Sequence, residues 1–285
     1  MSDSGKKEAI THHYDRLRAA KGFVFDMDGV IYLGSRLLPG VNDLFDMLRL
    51  RDVPFVLGTN NSTATQQDFV ERLAAMGVTV SADQIQTSTT VTRDLLRDDE
   101  SIPDNARILC VGQPSIASIL QTGTDFQIVA EDDDPASANV VVAGLDFDFT
   151  YQKMTRAVSA IGHGARFIAT NADDRLPTEH GYQPGAGACI AGIAVASRVQ
   201  PLIVGKPEPL MMTKAAEQLG CHIGEAVMVG DRLDTDVLSA QRAGMMTALV
   251  LTGLTTRQMV AESEILPDFV FEDLPTLLQA FAGHG

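Results

Sequence analysis

Four short apolar runs in this chain each end in a polar residue that can do chemistry, and this pattern constrains the fold more than any other feature. Asp26 follows Phe23-Val24-Phe25, and Thr59 follows Phe55-Val56-Leu57-Gly58. Lys206 follows Leu202-Ile203-Val204-Gly205, and Asp231 follows Ala226-Val227-Met228-Val229-Gly230. Helical spacing separates the first two runs at Leu44, Phe45 and Leu48. It returns at Phe69, Val70, Leu73 and Met76 and stops at Gly77. Strands alternating with helices predict a parallel sheet covered on both faces. The carboxyl ends of such strands share one edge, where open α/β folds bind ligands. Gly58, Gly205 and Gly230 are expected to let a ligand approach the backbone there.

The pattern restarts mid-chain. Arg107 to Val111, Val140 to Ala143 and Arg166 to Thr170 read as strands, with helical stretches at Ser115–Leu120 and Tyr151–Ile161. Gly181 to Gly187 reads as a turn-rich loop. Leu202–Val204, Ala226–Val229, Thr247–Leu251 and Phe269–Phe271 are again strand-like. One sheet holding all these strands would be unusually wide. A length of 285 residues suits two domains, at about 150 residues each. The reading is a discontinuous α/β core over 1–100 and 204–285, with a second α/β module inserted at 101–203.

The chain carries 37 acidic and 22 basic residues, a net charge of −15. That mean field repels a polyanion, so nucleic acid is not the expected ligand. The longest small-apolar run, Gly187 to Ala196, falls short of the ~20 residues of a membrane span. Cys110, Cys189 and Cys221 are too few and scattered for a disulfide framework, which points to a reducing compartment. The first residues lack the apolar core of a secretory signal. The expected location is the cytoplasm. His12 and His13 have no partner legible in the sequence and are expected to face solvent.

The first strand end is the richest, Asp26-Met27-Asp28-Gly29-Val30. Residues two apart on an extended segment face the same way, so Asp26 and Asp28 converge while Met27 turns inward. Close carboxylates repel unless a cation neutralises them, and Asp231 adds a third acid at the same edge. An oxygen-only acidic site suits Mg²⁺. A cation, a lysine and a hydroxyl around a nucleophilic carboxylate describe a phosphoryl-transfer site. The glycine pattern of a P-loop and the His-Glu-x-x-His zinc motif are both absent from the sequence.

These motifs resemble the haloacid dehalogenase-like phosphatase superfamily. Asp26-Met27-Asp28-Gly29-Val30, Thr59-Asn60-Asn61-Ser62, Lys206-Pro207 and Gly230-Asp231 through Asp236 match its four motifs in order. The resemblance spans roughly residues 22–285. The large insert between the second and third motifs resembles subfamily IIA, whose members carry an α/β cap. These include 4-nitrophenylphosphatase-like and pyridoxal-phosphate-phosphatase-like enzymes. The implied fold is a Rossmann-like parallel-sheet core with an inserted α/β cap. The implied activity is Mg²⁺-dependent hydrolysis of a small phosphorylated metabolite, with homodimerisation through the cap.

The resemblance also implies roles for individual residues. Asp26 attacks phosphorus, and Asp28 protonates the leaving oxygen and then activates water. Asp26, the Asp28 backbone carbonyl and Asp231 hold Mg²⁺. Thr59, Lys206 and the Asn60 backbone bind phosphoryl oxygens. Asp236 either orients Lys206 or a metal-held water, or is an acid placed at a helix start. The stretch from Thr170 to Gly187 resembles the family's specificity region, with Asn171, Asp173, Arg175, His180 and Tyr182 as candidate contacts. A phosphotransferase or mutase, a non-catalytic metabolite-binding relative and a phosphorylated receiver are the rival functions.

Overall fold

The computed structural model describes residues 14–178 and 181–283. His12, His13 and His180 lie outside the described residues. In chain order the strands are β1 (Gly22–Phe25), β2 (Tyr32–Leu33), β3 (Arg36–Leu37), β4 (Phe55–Thr59), β5 (Ile85–Thr87), β6 (Arg107–Val111), β7 (Gln127–Ile128), β8 (Val140–Ala143), β9 (Arg166–Ala169), β10 (Arg175–Thr178), β11 (Gly181–Pro184), β12 (Leu202–Ile203), β13 (Ala226–Gly230), β14 (Met246–Val250) and β15 (Phe269–Phe271). The chain divides into two compact units. The first holds Met1–Gly58, Val70–Ile85 and Lys206–Gly285; the second holds Thr59–Phe69 and Gln86–Gly205.

The first unit is built on a six-stranded sheet of order β15-β14-β13-β1-β4-β5. The pairs β1–β13, β1–β4, β13–β14 and β14–β15 are all parallel. The chain moves outward from β1 through β4 to β5, and outward the other way from β13 through β14 to β15. The order therefore reverses between β1 and β13, the switch point at which such sheets open a crevice. All four residues of β1 are buried, as expected for a strand covered on both faces. Phe23 and Phe25, two apart and so on one face, gather Phe45, Phe55 and Phe281 around them. The Phe45 and Phe55 rings stack at 4.3 Å, and the Phe23 and Phe281 rings meet edge-on at 5.2 Å.

The second unit holds a five-stranded sheet of order β12-β9-β8-β6-β7, with every pair parallel. Period-two alternation puts Leu109, Val141 and Phe167 in one row and Val111, Ala143 and Ala169 in the next. These rows pack in a single apolar core with Ala157, Ala160 and Ile161 of the helix Tyr151–Gly162 and with Ile190 and Ile193 of the helix Ala186–Ser197. The architecture is thus a Rossmann-like parallel-sheet core carrying an inserted α/β module.

Three details differ from the sequence reading. The second unit takes 59–69 and begins again at 86 rather than at 101, and it ends at 205 rather than 203; the helix Ser88–Asp98 goes with it because it packs against the helix Pro114–Gln121. The loop expected over Gly181 to Gly187 is in part a strand. β11 pairs antiparallel with β10, placing Arg175 opposite Pro184. The run before Lys206 contributes only the two-residue β12. That strand is the edge of the five-stranded sheet and is not a member of the sheet carrying Asp26. Its exposed Leu202 and half-buried Ile203 mark it as an edge strand.

Candidate active site

Asp26 and Asp231 leave adjacent strands at the switch point. The register sets Phe25 against Val229, and the Asp26 amide donates to the Val229 carbonyl at 2.8 Å. Lys206 reaches this edge from the loop that follows β12. Its Nζ donates to Asp26 Oδ1 at 2.5 Å, to Asp236 Oδ1 at 2.7 Å and to the Gly58 carbonyl at 3.4 Å. The Lys206 side chain is only 3% exposed and that of Asp236 only 2%, so both charges exist only because they compensate each other. Burial by itself would lower the lysine; Asp236 and Asp26 outweigh it and hold Lys206 above its ordinary value. Burial raises Asp26 well above the carboxylate range against the pull of Lys206, and Asp236 and Asp231 push it further the same way.

Asp236 spends both oxygens on order. While Oδ1 holds the lysine, Oδ2 accepts from the amides of Asp231 at 3.2 Å and Arg232 at 3.1 Å. It thereby ties the turn that presents Asp231 to the lysine that faces Asp26. Asp231 is itself gripped from a third strand end. The Leu254 amide donates to Asp231 Oδ2 at 2.7 Å, and the Thr255 amide donates to its carbonyl. A Cβ on Gly253 would lie 1.9 Å from that same Oδ2, so only glycine lets the loop come so close. Gly29 is constrained twice over, by φ of +83° and by Asp231 Cγ at 2.6 Å from where its Cβ would be. Burial, with Asp236 next, pushes the Asp231 carboxyl up to about 7.

One carboxylate oxygen from each of Asp26, Asp231 and Asp236 lies within 4.8 Å of the others. Asp26 Oδ2 and Asp231 Oδ1 have no hydrogen-bond donor among the described residues. Hard, acidic oxygens whose ionised forms are strained by burial fit a divalent cation. The Asp28 carboxylate stands apart from this cluster. Asp28 is an exposed residue, and desolvation by the nearby protein raises its carboxyl above its ordinary value. Arg72, a hydrogen bond from Tyr32 and Lys206 partly oppose the rise.

Thr59 is the last residue of β4, and its Oγ1 accepts from the Asn61 amide at 3.1 Å. Within the second unit Asn60 is closely held. Its carbonyl accepts from Asn171 Nδ2 and from Ser88 Oγ, each at 2.8 Å, and its Nδ2 donates to Asp173 Oδ1 at 3.1 Å. Asn171 and Asp173, expected as substrate contacts, are thus occupied in fixing Asn60. Arg175 and Tyr182 stack on each other, the guanidinium 4.8 Å from the ring centroid. The three glycines expected to admit a ligand face protein instead. Side chains or backbone of Val24, Asn60, Thr170 and Asp236 fill the spaces beside Gly58, Gly205 and Gly230.

The sequence reading passed over Tyr32, Arg72 and the segment Thr252–Thr255. The last of these had a signal, because it follows β14 and is one more carboxyl end on the same sheet edge.

A buried lysine bridging Asp26 and Asp236, with Asp231 beside them at the switch point, suits phosphoryl-transfer chemistry. Residues 23–124 match the haloacid dehalogenase-like hydrolase family, and residues 203–277 match the HAD-hydrolase-like family. The acid sugar phosphatase of Staphylococcus saprophyticus is 32% identical over 259 residues, covering 91% of this chain and 97% of that protein. The crystal structure of a 4-nitrophenylphosphatase from Thermotoga maritima superposes with a TM-score of 0.85 at 35% identity, covering 93% of this chain and 99% of that one. NagD from Escherichia coli K-12 gives 0.80 at 30% identity, covering 90% and 97%. The chain belongs to the haloacid dehalogenase-like hydrolases, in subfamily IIA. It is a phosphatase acting on phosphate monoesters, and its family implies a divalent metal.

Proposed function

We propose that this enzyme hydrolyses small phosphorylated metabolites, sugar phosphates among them, with Mg²⁺ as its metal and an aspartyl phosphate as intermediate. The observation that carries the reading is the Asp26–Lys206–Asp236 chain at the β1–β13 switch point, with Asp231 beside it. The names of the relatives, acid sugar phosphatase and 4-nitrophenylphosphatase, favour a small monoester.

Asp26 is the nucleophile. One oxygen is anchored on Lys206, which leaves Oδ2 to attack phosphorus. Lys206 also lends positive charge to the phosphoryl oxygens as negative charge builds there. Asp28 donates a proton to the leaving oxygen and then takes one from the water that opens the acyl phosphate. Thr59 and the Asn60 amide are assigned to phosphoryl oxygens. Asp236 is a positioning residue that fixes Lys206 and the Asp231 turn. Asp26, Asp231 and the Asp28 carbonyl would hold Mg²⁺, which when bound neutralises the acids and the transferring phosphoryl group. The three free cysteines suit a cytoplasmic location. A homodimer is proposed on the family resemblance, and the mass in solution tests it.

The experiment is phosphate release from a panel of phosphate monoesters, with Mg²⁺ and with chelator, for the wild type and Asp26→Asn. The expected result is Mg²⁺-dependent release that Asp26→Asn abolishes. Undiminished turnover by Asp26→Asn would refute the nucleophile assignment.

A further inference from the structure

Asp28 sits at the start of a turn whose geometry is set by Tyr32. The Gly29 amide donates to the Tyr32 carbonyl at 2.8 Å, and the Tyr32 amide donates to the Met27 carbonyl at 3.2 Å. Asp28 and Tyr32 thus form a bridge of their own before the hairpin β2–β3, in which Tyr32 pairs with Leu37. The Tyr32 side chain is fully buried, and its hydroxyl donates to Asp28 Oδ2 at 3.5 Å. That distance is long for a hydrogen bond, but catalytic contacts in substrate-free enzymes often tighten only when substrate is bound.

Above the ring lies Arg72, its guanidinium carbon 4.3 Å from the centroid. The same guanidinium donates through Nη2 to the Gly34 carbonyl at 2.8 Å. Arg72 therefore clamps the hairpin and the ring together, and its cation over the ring makes the phenolic O–H a better donor. A chain of contacts runs from the helix Gln66–Ala75 through Arg72 and Tyr32 to one oxygen of Asp28.

We infer that Tyr32, stacked under Arg72, is a positioning residue that aims Asp28 as the acid for the leaving group. The inference rests on the proposed role of Asp28. With Oδ2 engaged by the Tyr32 hydroxyl, the transferable proton rides on Asp28 Oδ1. In the first step a bond forms from Asp26 to phosphorus, and the bond from phosphorus to the leaving oxygen breaks. The Oδ1 proton passes to that oxygen, leaving Asp28 as a carboxylate. That carboxylate accepts the Tyr32 hydrogen bond more strongly than the acid did, so the contact strengthens as the proton leaves.

Leaving-group dependence tests this. A 4-nitrophenolate departs without help, whereas an alkoxide needs a proton, so only the alkyl ester reads the acid. The quantity measured is kcat/KM, which ends at the first irreversible step, for 4-nitrophenyl phosphate and for an alkyl phosphate such as glycerol phosphate. The Tyr32→Phe variant keeps the buried ring and its stack and removes only the hydroxyl. A hydrogen bond to a charged group is worth about tenfold or more in rate, so the alkyl ester should lose about tenfold and the nitrophenyl ester less than threefold. Arg72→Met, which leaves the tyrosine in place, should show the same preference in smaller degree. Equal losses on both esters in both variants, or no loss on either ester, would overturn the inference. Asp28→Asn separates the premises: a steep loss confined to the alkyl ester upholds Asp28 as the acid even where Tyr32→Phe fails. An equal loss on both esters would remove the acid reading itself.

Discussion

Asp231 carries a large and testable electrostatic cost. It is 3% exposed, and its carboxyl is pushed from an ordinary 3.8 to about 7 by burial and by Asp236. A raised folded-state pKa means that the folded protein holds this proton more tightly than the unfolded chain does. The cost of ionising Asp231 is therefore absent below about pH 4, grows between pH 4 and 7, and is complete above pH 7. At 1.36 kcal/mol per tenfold change in proton affinity, it reaches about 4 kcal/mol. Asp231→Asn should remove it, because the amide oxygen can still accept from the Leu254 amide.

The assay is urea unfolding in chelator, followed by far-UV circular dichroism because the chain has no tryptophan. The variant should be more stable than the wild type by a few kcal/mol at pH 8, and the advantage should vanish near pH 4. Mg²⁺ at about 100 times its dissociation constant should return about 2.7 kcal/mol to the wild type and not to the variant, closing most of the gap at pH 8. Coincident unfolding curves at pH 8, or an advantage that persists unchanged at pH 4, would refute the reasoning.

Two further outcomes follow from the same geometry. Lys206→Met strips the cation from two buried carboxylates and should cost about 3–5 kcal/mol at pH 8, with turnover lost. A stable variant with near-normal phosphate release would show that the lysine is not the charge anchor. Gly253→Ala drives a methyl group into Asp231 Oδ2 and should cost about 1–3 kcal/mol. It should also weaken Mg²⁺ binding at least tenfold by calorimetric titration, and unchanged affinity would show that the 252–255 loop does not set the ligand.

Much of this site was legible because chemistry at strand ends leaves a mark in one dimension. Asp26, Thr59 and Asp231 each close an apolar run, and a parallel sheet must bring such ends to one edge. The reasoning was incomplete for Lys206. It too closes an apolar run, but β12 pairs with β9 in the second sheet, and the lysine reaches Asp26 from the following loop. Strand pairing is a choice between partners far apart in sequence, and a two-residue strand carries too little pattern to reveal it. The helix Ser88–Asp98 escaped notice for a related reason. Its buried face opens on Ser88, Thr89, Thr90 and Thr92, a polar string of weak helix formers with few apolar residues to mark it. Back-bonds from Thr90 Oγ1 to the Thr87 carbonyl and from Thr92 Oγ1 to the Ser88 carbonyl, both at 2.8 Å, satisfy two of those hydroxyls.

Most of the alternation of strands and helices, the parallel sheets, and the meeting of Asp26 and Asp231 at one sheet edge were contained in the sequence. Each depends on local periodicity and on the single rule that parallel strands point the same way. The tertiary structure alone decided which oxygen of each acid is engaged. It set Asp236 between Lys206 and the Asp231 turn, pressed Gly253 against Asp231, and laid Arg72 over Tyr32 beside Asp28. Those contacts join residues from 5 to 40 positions apart at separations of a few ångströms. At that scale side-chain packing selects one arrangement among many that the same sequence pattern would allow.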